Sequence, residues 1–126
     1  MTENEIASIV IDRALYIHRK LGPGLLESAY ESVLSYELLK AGLGVERQVV
    51  IPLVWERLTI DTAFRADLIL DSKVIVEVKS IERMAPVHKK QLLTYLRLAD
   101  MKLGILLNFS GALMKDGIER VINGIL

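Results

Sequence analysis

Three charged residues lie in a hydrophobic stretch of the chain where charges are costly. Asp67 lies within the apolar run 64–70, and Glu77 and Lys79 lie within the apolar run 74–79. An unpaired carboxylate on a buried strand costs several kcal/mol unless something compensates its charge. The three groups must therefore be compensated by one another or by a bound cation. We expect the chemistry of this protein at this hairpin.

Two neighbouring carboxylates form a hard, oxygen-rich site that suits Mg²⁺ or Mn²⁺. Such a cation can turn a bound water into a nucleophile and neutralise the charge that develops during phosphodiester hydrolysis. Lys79 is expected on the same strand face as Glu77, where it could orient that water or stabilise the developing charge. The alternative is a structural salt bridge, which the spacing alone favours over a catalytic site.

The length of the loop between the two strands decides whether the carboxylates can meet. Because side chains alternate between the faces of a strand, Asp67 and Glu77 oppose each other only if the loop contains an odd number of residues. A two-residue turn at Asp71-Ser72 would place Asp67 opposite Val76. We therefore predict a three-residue loop at 71–73, a five-residue loop, or a bulge that restores the register.

The composition is that of one globular domain spanning residues 1–126. Of the 126 residues 52% are hydrophobic and 25% are charged, and 16 basic residues balance 16 acidic ones, so any nucleic-acid site must be a local patch. The absence of cysteine excludes disulfides and thiolate metal sites. The acidic N-terminus lacks a signal-peptide pattern, and no apolar run approaches the about 20 residues of a membrane span. We expect a cytoplasmic protein with no membrane partner.

Hydrophobic periodicity predicts the order helix, helix, strand, strand, strand, helix, strand. Thr2 and Glu5 have capping-box spacing before the first helix, and Gly22-Pro23-Gly24 separates it from a second helix over about 25–41. Val45 and the apolar positions 49, 51 and 53 are expected to share one strand face. The remaining predicted elements are strands at 58–70, 74–79 and 103–108, a helix from Pro86, and a tail at 115–122 that fits either a strand or a short helix.

This order predicts an α/β fold with one mixed sheet flanked by helices. The third strand reaches its neighbour through a helical crossover, which is the usual connection between parallel strands. The elements therefore form a sandwich of one sheet and a few helices.

The segment Gly24-Leu25-Leu26-Glu27-Ser28-Ala29-Tyr30 resembles the signature of the GxxExxY proteins, a branch of the PD-(D/E)XK nuclease superfamily. The resemblance covers nearly the whole chain. It implies the restriction-endonuclease-like αβββαβ core, here with an extra N-terminal helix. It continues through Glu46-Arg47-Gln48, Asp67-Leu68, Glu77-Val78-Lys79, the helix 88–96 and Leu106-Leu107-Asn108-Phe109.

The resemblance also implies a set of site residues for metal-dependent cleavage of phosphodiesters. It assigns Asp67, Glu77 and Glu27 to a Mg²⁺ (or Mn²⁺) ion, bound directly or through water. Lys79 would assist the nucleophile, and Gln91 on the following helix would position a water or a phosphate.

Two of these residues also have a plainer interpretation. Glu27 lies in the first turn of its helix, where any acid stabilises the positive end of the helix dipole. Gln91 has His88 three residues before it and Tyr95 four residues after it, so all three could form a polar stripe that faces solvent. The resemblance moves Gln91, and less securely His88 and Tyr95, towards the cleft.

The expected partner is a nucleic acid, with DNA favoured over RNA. A local excess of basic residues supports this expectation because such a surface could hold a phosphate backbone. The alternatives are a non-catalytic nucleic-acid-binding or protein-interaction module on the same fold, and a purely structural homo-oligomer, such as a homodimer, that pairs through apolar edges such as 49–54. The basic residues are Lys79, Arg83, Lys89, Lys90, Arg97 and Lys102, against Glu82 and Asp100.

Overall fold

Three helices and five strands follow one another in the order that the hydrophobic pattern predicts. The computed structural model describes all residues from 1 to 126. The ambiguous tail forms a strand, which follows a short 3-10 helix at Met114–Gly117. The helices are α1 (Glu3–Leu21), α2 (Glu27–Lys40) and α3 (Pro86–Ala99), and the strands are β1 (Val45–Trp55), β2 (Leu58–Leu70), β3 (Val74–Lys79), β4 (Leu103–Asn108) and β5 (Ile118–Ile122).

The strands form one mixed sheet in the order β1-β2-β3-β4-β5. β3 and β4 are parallel, and every other neighbouring pair is antiparallel. α3 is the crossover between the two parallel strands, as expected, because a tight turn cannot join parallel neighbours. The predicted α/β class is confirmed. The elements from α2 to β4 give the αβββαβ order, α1 precedes them, and β5 adds an antiparallel edge strand.

Local signals in the sequence explain where the helices begin and end. The Thr2 hydroxyl accepts from the Glu5 amide and the Glu5 side chain accepts from the Thr2 amide, so the predicted capping box is present. Gly22 and Gly24 have φ values of 70° and 111° and separate α1 from α2. Pro86 occupies the first turn of α3, where its missing amide proton costs nothing.

The sheet is covered on both faces. α1 and α2 contribute to a larger apolar cluster on one face, and α3 contributes to a smaller cluster on the other. β3 is buried along its length except at Lys79, and β4 is buried throughout, as a continuous apolar run predicts. None of the three helices combines the length and apolar character needed to span a lipid bilayer.

The β2–β3 hairpin has a loop with an odd number of residues, as the alternation of side chains requires. Leu70 pairs with Val74 and Leu68 pairs with Val76, so the loop consists of the three residues 71–73. The prediction of an odd loop is confirmed in its shortest form. Extending the register by one position places Asp67 opposite Glu77.

β1 changes face at Gln48, which the sequence pattern did not predict. Val45 packs against the cluster formed with α1 and α2, whereas Val49 packs against the cluster formed with α3. The prediction that Val45 shares a face with the apolar positions after it is therefore wrong. The physical reason is the backbone of Gln48, whose φ of 50° breaks the regular alternation of the strand.

β1 is also the free edge at which the homodimer alternative expects a second copy to pair. The outer part of this strand exposes Val50, Val54 and Trp55 to solvent.

The packing of α3 on β4 predicts the effect of one added methyl group. A Cβ at Gly104 would lie 2.7 Å from Cγ of Leu92, and Leu92 is fully buried. We predict that Gly104→Ala lowers the free energy of unfolding by about 1–3 kcal/mol, measured by urea denaturation. Gly111→Ala is the matched control because its nearest neighbouring atom is 3.8 Å away. Equal effects of the two substitutions would contradict this packing.

Candidate active site

Asp67 and Glu77 meet where the β2–β3 ladder ends. The last paired residues of the ladder are Leu68 and Val76. Beyond them, Oδ2 of Asp67 accepts a hydrogen bond of 2.8 Å from the Val78 amide, which ties β2 to β3. Asp67 raises the pKa of the Glu77 carboxyl, so the two side chains are close enough to interact. The two carboxyl groups therefore converge, as the sequence predicts.

Glu77 is the most strongly perturbed acid of the protein. It is only 5% exposed, and its Oε1 atom is buried without a hydrogen-bond partner. Burial, followed by the hydrogen bond to Asp67 and the charge of Asp67, raises the pKa of Glu77 to about 9, and the charge of Lys79 opposes this only in part. Glu77 therefore carries a proton at neutral pH in the protein alone.

A chain of polar contacts connects Asp67 to α2. Nε2 of Gln48 donates to Oδ1 of Asp67 over 3.2 Å and to Oε1 of Glu31 over 2.6 Å. Arg47 donates twice to the other oxygen of Glu31, over 2.9 and 3.1 Å. Glu31 was not among the residues predicted from the sequence. Its i, i+4 spacing from Glu27, which places both on one side of α2, is the signal that could have found it.

Glu27 connects the start of α2 to the end of β3. Its Oε1 accepts a hydrogen bond of 3.2 Å from the Ser80 amide, and the Ser80 hydroxyl donates to the Leu25 carbonyl over 2.8 Å. These two contacts hold the start of α2 against the segment that follows Lys79.

Tyr30 has a structural position rather than a place at the acid pair. Its hydroxyl donates to the Gly22 carbonyl over 2.5 Å and accepts from the Leu25 amide over 3.2 Å. Its ring is fully buried and stacks on Phe109 with centroids 4.4 Å apart. Tyr30 therefore orders the loop that precedes Glu27.

An open cleft of about 740 Å³ brings several of these residues together. Glu27 and Asp67 both line it, so the structure places the predicted acid of α2 on the same cleft as the acid of β2. The structure as a whole contains no group of three or more His, Asp or Glu side chains arranged so that they could hold a metal ion. Glu27 therefore shares the cleft with Asp67 but does not complete a three-ligand group with the acid pair. The other lining residues are Leu25, Leu26, Ser28, Glu31, Arg47, Gln48 and Ser80.

The three α3 residues of the expected polar stripe lie in different environments. Gln91 is exposed and lines none of the cavities, so the structure does not place it in the cleft. Nδ1 of His88 accepts from the Ala85 amide and caps the start of α3. Tyr95 is partly buried, and its ring lies 4.7 Å from that of Phe64. Burial and the charges of Glu77 and Asp67 raise the pKa of Tyr95. Tyr95 is therefore the residue of the stripe that interacts electrostatically with the acid pair.

A family model of the PD-(D/E)XK nuclease superfamily matches residues 4–121. The chain belongs to the PD-(D/E)XK nuclease superfamily. Membership indicates a nuclease-type function with a nucleic acid as substrate, and nucleases of this superfamily generally use divalent metals. No curated protein and no solved structure matches the chain significantly.

The acid pair fits the divalent metal that PD-(D/E)XK nucleases generally use. Carboxylate oxygens are preferred ligands of Mg²⁺ and Mn²⁺, and Oε1 of Glu77 is an oxygen for which the protein supplies no partner. A cation at the pair would take the place of the Glu77 proton. Two protein carboxylates would leave further coordination positions to water and substrate oxygens.

Because the pKa of Glu77 is raised in the folded protein, its contribution to stability should fall as the pH rises. The folded protein binds the proton more tightly than the unfolded chain, so this contribution is complete below the unfolded pKa of about 4.5. It is lost as the pH rises through about 9. We predict that the uncharged Glu77→Gln variant gains stability over wild type between pH 5 and 9, by up to about 1.4 kcal/mol per pH unit. Urea denaturation without divalent ions measures this difference.

Glu37→Gln is the matched control for that experiment. Glu37 is also buried, but it forms ion pairs with Arg13 and Lys40, so its substitution should cost stability. A Glu77→Gln variant whose advantage does not grow with pH would contradict a protonated, buried Glu77.

Proposed function

We propose that this chain is a Mg²⁺-dependent nuclease of the GxxExxY branch, and that residues 1–126 act as one PD-(D/E)XK domain. It hydrolyses phosphodiester bonds of a nucleic acid, with DNA favoured, and Mn²⁺ can replace Mg²⁺. The observation that carries the proposal is the acid pair. Asp67 lies beside a buried Glu77 with an unpartnered oxygen, and Lys79 follows Glu77 on the same strand.

Each site residue has a role in this proposal. Asp67 and Glu77 would hold the cation, and Glu27 would assist from the α2 side of the cleft through water. The cation, when bound, supplies an activated water and neutralises charge on the phosphate. Lys79 orients the attacking water, because its charge lies close enough to affect Glu77. Gln91, which is exposed on α3, contacts the substrate.

The surface of α3 supports a polyanionic substrate. Arg83 precedes this helix and Lys89, Lys90 and Arg97 lie along it, and all four are exposed. None of them forms an ion pair with an acidic side chain. These cations are therefore available to phosphates, whose neutralisation releases counterions and strengthens binding.

A cleavage assay with plasmid DNA, single-stranded DNA and RNA tests the proposal. We predict cleavage with Mg²⁺ or Mn²⁺ and none with EDTA. Asp67→Asn and Glu77→Gln should lower the rate at least about 100-fold, because each removes a charge that holds the metal and its nucleophilic water. Lys79→Met should lower the rate at saturating metal. Asp61→Asn is the matched control because Asp61 is an exposed acid on the same strand.

The outcome of this assay separates the proposal from its main alternative. Nucleic-acid binding without cleavage, and without metal binding by calorimetry, would contradict the nuclease. That result would instead indicate a non-catalytic binding module on the same fold.

A further inference from the structure

Gln48 combines a costly backbone conformation with a position beside the acid pair. Its φ of 50° lies in the left-handed region, which a residue with a side chain enters at a cost. Such outliers persist where the surrounding structure requires them, and they cluster at functional sites. Glycine adopts this conformation more readily, so the backbone conformation by itself would favour glycine over glutamine at position 48.

The side chain of Gln48 bridges two carboxylates, those of Glu31 and Asp67. Its terminal amide carries two protons, and it donates to both Oε1 of Glu31 and Oδ1 of Asp67. Glu31 is buried, and Arg47 holds its second oxygen. The amide is therefore anchored on the α2 side while it contacts Asp67.

Two donors together define the plane of the Asp67 carboxylate. Gln48 contacts Oδ1 over 3.2 Å, and the Val78 amide contacts Oδ2 over 2.8 Å. One donor comes from β1 and the other from β3, so Asp67 is held from both sides. Each carboxylate oxygen keeps a lone pair that these bonds do not use.

We propose that Gln48 is a positioning residue that orients Asp67 for shared metal binding with Glu77. This inference rests on the proposed function. The hydrogen bond of Gln48 to the buried Glu31 stabilises the fold, whereas its exposed hydrogen bond to Asp67 adds little to stability and is left to orient that carboxylate. Hydrogen-bond partners of metal ligands typically change metal affinity or activity 10–100-fold when they are lost.

Two substitutions separate the amide from the backbone. Gln48→Met keeps the length of the side chain and removes the amide, and Gln48→Gly removes the amide while relieving the positive φ. We expect both variants to bind Mn²⁺ about 10–100-fold more weakly by calorimetry. We also expect both to need correspondingly more Mg²⁺ for half-maximal cleavage. A purely structural role would lower the urea midpoint and leave the metal dependence unchanged, and Gln48→Gly should not be less stable than Gln48→Met.

Ser32→Ala is the matched control. Its hydroxyl accepts from Arg47 over 3.0 Å at the far end of the same network, and it forms no hydrogen bond with Gln48 or Asp67. Wild-type metal affinity and metal dependence in both Gln48 variants would overturn the inference and leave the proposed function intact. If Gln48→Met does not fold, Gln48→Gly decides alone. A wild-type protein that neither binds Mn²⁺ nor cleaves would overturn the proposed function, and this inference with it.

Discussion

The cost of placing two carboxyl groups side by side at a buried strand end is the constraint on which the rest of the site depends. Like charges in such a place cannot both remain ionised without compensation. The protein compensates in two ways. Asp67 accepts hydrogen bonds from Gln48 and from the Val78 amide, while Glu77 keeps its proton. A divalent cation would satisfy the same constraint by replacing that proton.

This constraint explains why elements from both faces of the sheet meet at the pair. The three-residue loop sets the register that opposes the two acids. α2 packs on one face and brings Glu31, which anchors Gln48. α3 packs on the other face and brings Tyr95 close enough that burial and then the charges of Glu77 and Asp67 raise its pKa. The site therefore depends on contacts distant in sequence, and its geometry should be sensitive to changes in either layer. A functional site that lowers the stability of the folded protein in this way is typical of the balance between stability and activity.

The sequence predicted those features that follow from local rules. The order of the elements follows from hydrophobic periodicity, and the odd hairpin loop follows from the two-residue period of strands. The convergence of Asp67 and Glu77 follows from the same parity together with the cost of buried charge. These predictions needed no knowledge of which layers pack together.

The features that the sequence did not predict depend on single torsions or on tertiary contacts. The change of face in β1 depends on the φ of one residue, Gln48, and a propensity pattern carries no signal for it. The role of Glu31 depends on contacts with Arg47 and Gln48 on another element. On α3, the polar stripe could not show that Tyr95 rather than Gln91 faces inward, because that depends on how the helix is rotated over the sheet.

In the proposed mechanism, Asp67 and Glu77 share one divalent cation. Anomalous diffraction from crystals grown with Mn²⁺ tests it most directly, because Mn²⁺ scatters anomalously and occupies sites of the same chemistry as Mg²⁺. A shared cation predicts one strong anomalous peak in contact with carboxylate oxygens of both residues. The absence of a peak at this pair, or a single peak at a different acidic cavity such as that lined by Glu82, Asp116 and Glu119, would show that the two residues do not share a cation.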